Sequence, residues 1–298
     1  MSQTLMIFAA KTFHVSFPGL GINDIPVSRV LFTIGQFEIY YYSLCIMCGL
    51  LLALFLAARA SKRYAISEDA VYETCIYAIP LLLIGARLYY VLFALDEFRD
   101  NWLQIFNLRS GGLGFYGGVL GGMLAVFIVS KRYHYSYIRL LDLFAPYLAL
   151  GQAIGRWGNF FNQEAFGTNT KLPWGMISEG TRAYLQSLGK SEFNPNLPVH
   201  PTFFYEFLGN LLIFAIIISF RNRYQREDSK PGLETAIYLL LYGALRFVVE
   251  GLRTDSLYIG ASPIRVSQLL SLLMICLAII YFVARYNKAK AATTSENE

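Results

Sequence analysis

Stretches of about twenty mostly apolar residues, the length a helix needs to cross a bilayer, recur along this chain between short polar connections. They fall at 38–58, 71–95, 114–130, 140–155, 201–220, 234–251 and 266–285, the fourth being the shortest. The pattern predicts an all-α polytopic membrane protein with seven transmembrane helices and a small extracytoplasmic head or arm region. Basic residues gather at alternate connections: Arg59, Lys62 and Arg63; Lys131, Arg132 and Arg139; Arg221, Arg223, Arg226 and Lys230; Arg285, Lys288 and Lys290. By the positive-inside rule those connections face the cytoplasm. The amino terminus is then outside and the carboxyl terminus inside, as an odd number of spans requires.

Three segments are left on the outer side. The first is an amino-terminal arm, 1–37, whose last part runs into the β-branched and aromatic stretch 30–42, read as an extended piece along the interface. The second is the loop 96–112. The third, 165–199, carries the turn signals Thr168-Asn-Thr, Pro173-Trp-Gly and Asn194-Pro-Asn. Its length and its glycines, Gly180 and Gly189, leave two readings open, a mobile arm over the site or a loop that merely joins the fourth and fifth spans. The domain reading is therefore an arm at 1–37, a membrane domain at 38–285 that includes the 165–199 arm, and a disordered cytoplasmic tail at 286–298.

Composition agrees with the pattern. Hydrophobic residues make up 55% of the 298 and charged residues 15%, against roughly 25% charged in soluble domains. Mean hydropathy is +0.44. Three histidines and four cysteines argue against a metal enzyme or a disulfide scaffold, and no cofactor, metal or nucleic-acid partner is expected. Cys45 and Cys48 form a C-x-x-C inside an apolar helical run and read as buried structural residues.

Charged residues at membrane depth are costly and point to function. The run Gly155-Arg-Trp-Gly-Asn-Phe-Phe-Asn-Gln-Glu-Ala-Phe-Gly167 closes the fourth span with Arg156, Asn159, Asn162 and Glu164. Given the orientation, it lies on the outer side, where Tyr42, Arg87 and the segment from Gly111 to Gly122 also lie. So do His200-Pro-Thr-Phe-Phe-Tyr-Glu206 and the sixth-span stripe Tyr242, Arg246, Glu250 and Arg253, whose spacings share one helical face. Glu250 can neutralise only one of Arg246 and Arg253. With Arg156 and Arg87 added, cations are expected to outnumber carboxylates, and a phosphate held by guanidinium forks would restore the balance. Gly117 and Gly118, each followed by another glycine four residues on, mark either close helix packing or room for a headgroup beside Tyr116.

In these motifs the chain resembles the bacterial phosphatidylglycerol–prolipoprotein diacylglyceryl transferase family, from about Tyr42 to Arg285. Besides the two runs quoted, the likeness rests on Tyr242-Gly-Ala-Leu-Arg-Phe-Val-Val-Glu250 and Gly85-Ala-Arg87. The resemblance implies transfer of the diacylglyceryl group of phosphatidylglycerol to the lipobox cysteine of prolipoprotein signal peptides, with release of glycerol 1-phosphate. The expected setting is the bacterial inner membrane, with the site facing the outer leaflet and the protein acting as a monomer. Arg156, Arg246, Tyr116 and Tyr242 are the implied catalytic residues. Tyr42, Gly117, Gly118, Asn159, Glu164 and Glu250 join the arginines in binding lipid, with Arg87, Asn162, His200, Tyr205, Glu206 and Arg253 in support. Members of the family commonly carry histidine where this chain has Tyr116. A phenol of pKa near 10 is a poor base at neutral pH, so either an arginine field lowers that pKa or Tyr116 positions the headgroup while another group takes the thiol proton.

Two other classes fit less well. A transporter would place polar, broken helices at the midplane in repeated halves, and no pair of spans repeats here. An intramembrane serine protease would need a histidine within a span, and Ser110 in Arg109-Ser-Gly-Gly has none. The Tyr116 reading can be tested by substitution. Tyr116→Phe should slow transfer and Tyr116→His should preserve it, measured as lipidated peptide formed per minute. Equal rates for Tyr116→Phe and the native chain would reduce Tyr116 to a packing role.

Overall fold

A computed structural model describes residues 12–99, 101–108, 111–224, 231–258 and 262–295. Among these are five strands: β1 (Thr12–Phe17), β2 (Ile22–Ser28), β3 (Val30–Ile34), β4 (Phe37–Tyr40) and β5 (Ile177–Ser178). Eight α-helices accompany them. They are α1 (Tyr41–Ser61), α2 (Glu68–Phe93), α3 (Phe115–Arg132), α4 (Tyr137–Asn162), α5 (Glu179–Leu188), α6 (Thr202–Tyr224), α7 (Leu233–Leu252) and α8 (Val266–Ser295).

The fold is mostly helical rather than all-α, because the amino-terminal arm is built of strands. The stretch 30–40 forms the hairpin β3–β4, closed by Gly35 at φ 60°, a left-handed conformation that glycine adopts without strain. Six helices, α1, α2, α3, α6, α7 and α8, are long and apolar enough to cross a membrane. The fourth predicted span is α4, which is 26 residues long but carries Arg139, Asp142, Gln152, Arg156 and Asn159. It is longer than predicted and too polar to count by composition. The tail predicted to be disordered is helical as far as Ser295, since Lys288, Ala289 and Lys290 favour continuation of the last turn. Residues 1–11 of the arm, 296–298 of the tail, Arg109, Ser110, Arg226 and Lys230 lie outside the described residues. Cys48, expected to be buried, is exposed on α1.

The chain divides into two compact units. One comprises Leu54–Ala145 and Gln225–Leu233. Here α2 begins at an N-cap, with the Ser67 side chain accepting the Ala70 N–H at 3.3 Å and Glu68 and Asp69 in the first turn. It packs on α3 along a glycine seam. A Cβ on Gly117 would run into the Gly85 carbonyl, and one on Gly121 into the Leu81 carbonyl. At Gly118 the nearest atoms, on Leu82, are 3.6 Å from where a Cβ would sit. Packing against α2 therefore accounts for Gly117, the first alternative left open by the sequence, whereas a side chain at Gly118 would make only ordinary contact with α2.

The other unit comprises Met1–Ala53, Pro146–Tyr224 and Glu234–Glu298. Its helices approach closely where side chains are small: Gly49 meets Gly151, Gly209 meets Leu245, and Gly243 meets the Ser271 carbonyl. Beside them is a small sheet of order β2-β1-β5. In β1, Phe13 and Val15 are buried while Thr12 and His14 are exposed, the alternation of a half-buried strand. β2 carries Pro26 and is an edge strand, the place where a missing N–H costs least. Val15, Val27, Phe166, Met176, Leu185, Val199 and Phe203 form one apolar core.

That core corrects the reading of 165–199 as a lid hinged at its glycines. The segment is folded: α5 opens with a capping box between Ser178 and Thr181, and Gly189 is its left-handed C-cap at φ 61°. Gly180 is buried, with a Cβ position 2.7 Å from Gln163 Cβ. Residues 165–170 are stitched to both sides. Gly167 N–H donates to the His200 carbonyl at 2.9 Å, Thr168 N–H to the Leu252 carbonyl at 2.8 Å, and the Thr202 hydroxyl to the Ala165 carbonyl. The end of α4, the start of α6 and the end of α7 are thereby tied together.

His200 sits just before α6, its Nδ1 3.1 Å from the Tyr205 hydroxyl, which also accepts the Trp174 indole N–H at 2.8 Å. Burial holds the imidazole below its ordinary value, so it is neutral at pH 7. An unfolded chain binds the proton more readily, so this residue's contribution to stability is present above its ordinary pKa, near 6.5, and is lost as pH falls below it.

Two outcomes follow from this packing. Gly117→Ala and Gly121→Ala should each lower stability by about 1–3 kcal/mol, whereas Gly118→Ala should leave the thermal midpoint nearly unchanged. Equal midpoints for all three in detergent would refute the seam. For His200, acidification from pH 7.5 to 5.5 should destabilise the native chain more than the His200→Gln variant. Parallel pH–stability curves for the two would remove His200 as the cause.

Candidate active site

The residues singled out in the sequence separate into two groups, one in each unit. In the unit built on Pro146–Tyr224 and Glu234–Glu298, Glu206 on α6 is the centre. One carboxylate oxygen takes Arg156 Nε from α4 at 2.6 Å, and the other takes Arg246 Nη1 from α7 at 2.7 Å. Arg246 Nη2 continues to Glu250, one turn on, at 2.6 Å. The Glu206 and Glu250 side chains are 2% and 1% exposed and the two arginines 20% and 17%, so the acids form the floor and the cations the accessible layer.

Two amides extend the network. Arg156 Nη1 donates to Asn159 Oδ1 at 3.1 Å, and Asn159 donates to Glu164 at 2.9 Å. Asn162 donates to the same Glu164 oxygen at 3.3 Å. Glu164 lies between Gln163 at φ 54° and Ala165 at φ 56°, two non-glycine residues in the left-handed region. The Gln163 side chain is fixed by the Phe160 carbonyl and the Ser178 hydroxyl. This reversed backbone brings the acid back onto the amides of the helix it has just left. Tyr242 accepts a hydrogen bond from Arg156 and faces Glu206 and Arg246. It stacks on Tyr238, which donates to Gln152 at 3.1 Å. Tyr42, at the start of α1, lies over Gly158, where a Cβ would come within 2.6 Å of its ring.

Among the described residues the expected surplus of cations is absent. Arg253 is held by Asp255, at 2.8 and 2.6 Å through two nitrogens, and Arg265 donates to the Glu250 carbonyl. Counted together, Arg156, Arg246, Arg253 and Arg265 face Glu164, Glu206, Glu250 and Asp255, charge for charge. His200 and Tyr205 belong to the packing described above. Sequence reasoning ranked Glu206 too low and missed Asp255, Arg265, Gln152 and Tyr238. Tyr238 was within reach, since it continues the four-residue stripe that runs through Tyr242, Arg246 and Glu250.

In the other unit Arg87 is buried and has a different employer. Its guanidinium donates to the carbonyls of Ile105 at 2.8 Å, Gly111 at 2.8 Å, Gly112 at 2.9 Å, Gln104 at 2.5 Å and Asn107 at 3.4 Å. The cation also lies over the Phe98 ring at 5.1 Å. Five donors meet five backbone acceptors, so Arg87 organises the 104–112 loop and does not add to a phosphate site. Tyr116 is half-buried in the first turn of α3, edge-on to Tyr89 at 5.9 Å.

Comparison with known proteins shows the family of the chain. Residues 29–284 match the family model described as prolipoprotein diacylglyceryl transferase. A phosphatidylglycerol–prolipoprotein diacylglyceryl transferase of Finegoldia magna is 41% identical over 263 residues, 88% of this chain and 97% of the relative. Proteins of the same name from Clostridioides difficile and Bacillus cereus are 38% and 36% identical, each over 91% of this chain and over 100% and 97% of their own length. With its apolar helices and this extent of match, the chain belongs to the prolipoprotein diacylglyceryl transferase family.

Proposed function

We propose that this protein moves the sn-1,2-diacylglyceryl group of phosphatidylglycerol onto the thiol of a lipobox cysteine, the first step of bacterial lipoprotein maturation. A sulfur–carbon bond forms, a carbon–oxygen bond breaks, and glycerol 1-phosphate leaves with the electron pair of the broken bond. The observation that carries this reading is the convergence of Arg156 and Arg246, from two helices, on opposite oxygens of Glu206. Two guanidinium forks converging on one carboxylate suit the non-bridging oxygens of a phosphodiester, whose single charge they hold while the carbon–oxygen bond breaks. Asn159 and Glu164 hold Arg156 in place, Glu250 holds Arg246, and Tyr42 and Tyr242 line the approach. Tyr116 is assigned to the headgroup or the incoming thiol.

The protein is placed in the inner membrane as a monomer, with seven spans. An α4 of 26 residues is roughly 39 Å long, enough to cross, and its polar groups Arg156 and Asn159 are satisfied by other side chains rather than left to lipid. Counting α4 puts the basic clusters on one side and the β1-β2-β5 sheet with α5 on the other, as an extracytoplasmic head. The site then faces the outer leaflet, where a signal-peptide cysteine emerges.

Lysine keeps the charge of arginine but loses its planar fork. Arg156→Lys and Arg246→Lys should each lower kcat/KM on the order of a hundredfold. The assay is glycerol phosphate release in step with thioether formation, in phosphatidylglycerol vesicles with a lipobox peptide. Near-normal turnover by either folded variant would refute the assignment.

A further inference from the structure

A site built only to attract phosphate would pair its arginines with neutral donors. Here both arginines are matched by buried acids, and the acids touch the guanidinium nitrogens that a phosphate would use. Among the described residues, the other charged side chains near them are also bonded, Glu164 to two amides, Arg253 to Asp255 and Arg265 to a backbone carbonyl. Glu164 and Asn159 lie on the α4 side, Arg253 and Asp255 follow α7, and Arg265 precedes α8, while among the described residues the titratable phenols facing the network are Tyr42, Tyr242, Tyr184 beside Arg253 and Asp255, and Tyr258 beneath Arg265. A ligand therefore enters a site whose charges already balance.

We infer that Glu206 and Glu250 set the charge specificity of this site: it accepts the single charge of a phosphodiester and turns away the second charge of a phosphomonoester. The inference rests on the function proposed above. A phosphate bonded to Arg156 and Arg246 must lie within a few ångströms of the Glu206 carboxylate, which shares those guanidinium groups. Its first charge is offset by arginine hydrogen bonds. A second charge finds no unmatched cation and meets a carboxylate at short range, where burial weakens screening.

The reaction then creates the species that the site rejects. Phosphatidylglycerol carries one phosphate charge. The product is a monoester whose second pKa is near 6, so at pH 7.5 it carries nearly two. Because it leaves with the electron pair of the broken bond, the product departs with both charges, and the carboxylates that hold the arginines in place would also expel it.

Titration calorimetry on the full-length protein in detergent, with glycerol 1-phosphate and with the deacylated diester glycerophosphoglycerol, tests this without turnover. Between pH 5.5 and 8, glycerol 1-phosphate should bind about tenfold more weakly as its second proton is lost, while the diester changes little. Glu206→Gln keeps the shape but removes the charge and one of the two acceptor oxygens. It should bind glycerol 1-phosphate at pH 8 about tenfold more tightly than the native chain, and in the vesicle assay both kcat and KM should fall as release becomes limiting. Glu206→Asp should restore the native preference, and Glu250→Gln provides the same comparison should Glu206→Gln fold poorly. Monoester affinity that holds or rises with pH in the native chain would overturn the inference, as would unchanged affinity in both glutamine variants. A native chain that prefers the diester yet forms no thioether would instead overturn the proposed reaction and leave the charge specificity standing.

Discussion

A carboxylate shut away from water has to be paired, and Glu206 meets that requirement by giving one oxygen to α4 and the other to α7. Its own helix, α6, thereby becomes the reference for both neighbours. Removing one partner from such a buried pair costs about 3–5 kcal/mol, because a charge is left stranded. The fold supports this bridge from several directions. Gly209 lets α6 and α7 approach, and the 165–170 strip joins the ends of α4, α6 and α7. Near the other ends of α6 and α7, Arg221 is bonded to Glu234 at 2.6 Å and to the Tyr147 hydroxyl at 2.8 Å, fixing the same pair of helices a second time.

Four of the described arginines, two buried and two partly buried, are satisfied in three ways. Arg87 spends its guanidinium on backbone carbonyls, Arg221 on a carboxylate and a phenol, and Arg156 and Arg246 on a shared carboxylate with room left on one side. Only the last arrangement combines cation, acid and access, which separates a reactive site from a structural clamp better than burial does. Backbone that is not helical can sit in apolar surroundings only if its carbonyls are met, and Arg87 does this for the loop between α2 and α3.

What the sequence disclosed follows the range over which its signals act. Apolar runs marked the membrane helices, and the four-residue spacing from Tyr242 to Glu250 put those side chains on one face, since both are local properties of a helix. The charge surplus was misjudged because the acid that matches Arg156 lies fifty residues away, on another helix. Arg87 was misread for a related reason: carbonyl acceptors belong to every residue and leave no mark in a sequence. The pairing of β1 with β5, between Val15 and Ser178, is equally long-range, and it turned a presumed lid into a folded piece. Gly180 and Gly189 looked alike as hinges. One proved to be a packing contact and the other a helix cap, a difference set by what surrounds them.

The left-handed backbone at Gln163 and Ala165 carries a consequence for how the molecule comes into being. Two non-glycine residues in that conformation are held there by partners made later: the Ser178 hydroxyl, and Thr202 at the head of α6. During synthesis the stretch from Arg156 to Glu164 leaves the ribosome before anything can hold its turn. Glu206 follows some forty residues behind, and Arg246 another forty after that. A ribosome halted anywhere before α7 carries a chain in which Arg156 and Glu206 can meet but Arg246 is still to come. The two-arginine arrangement is thus completed only when the last third of the chain is in place.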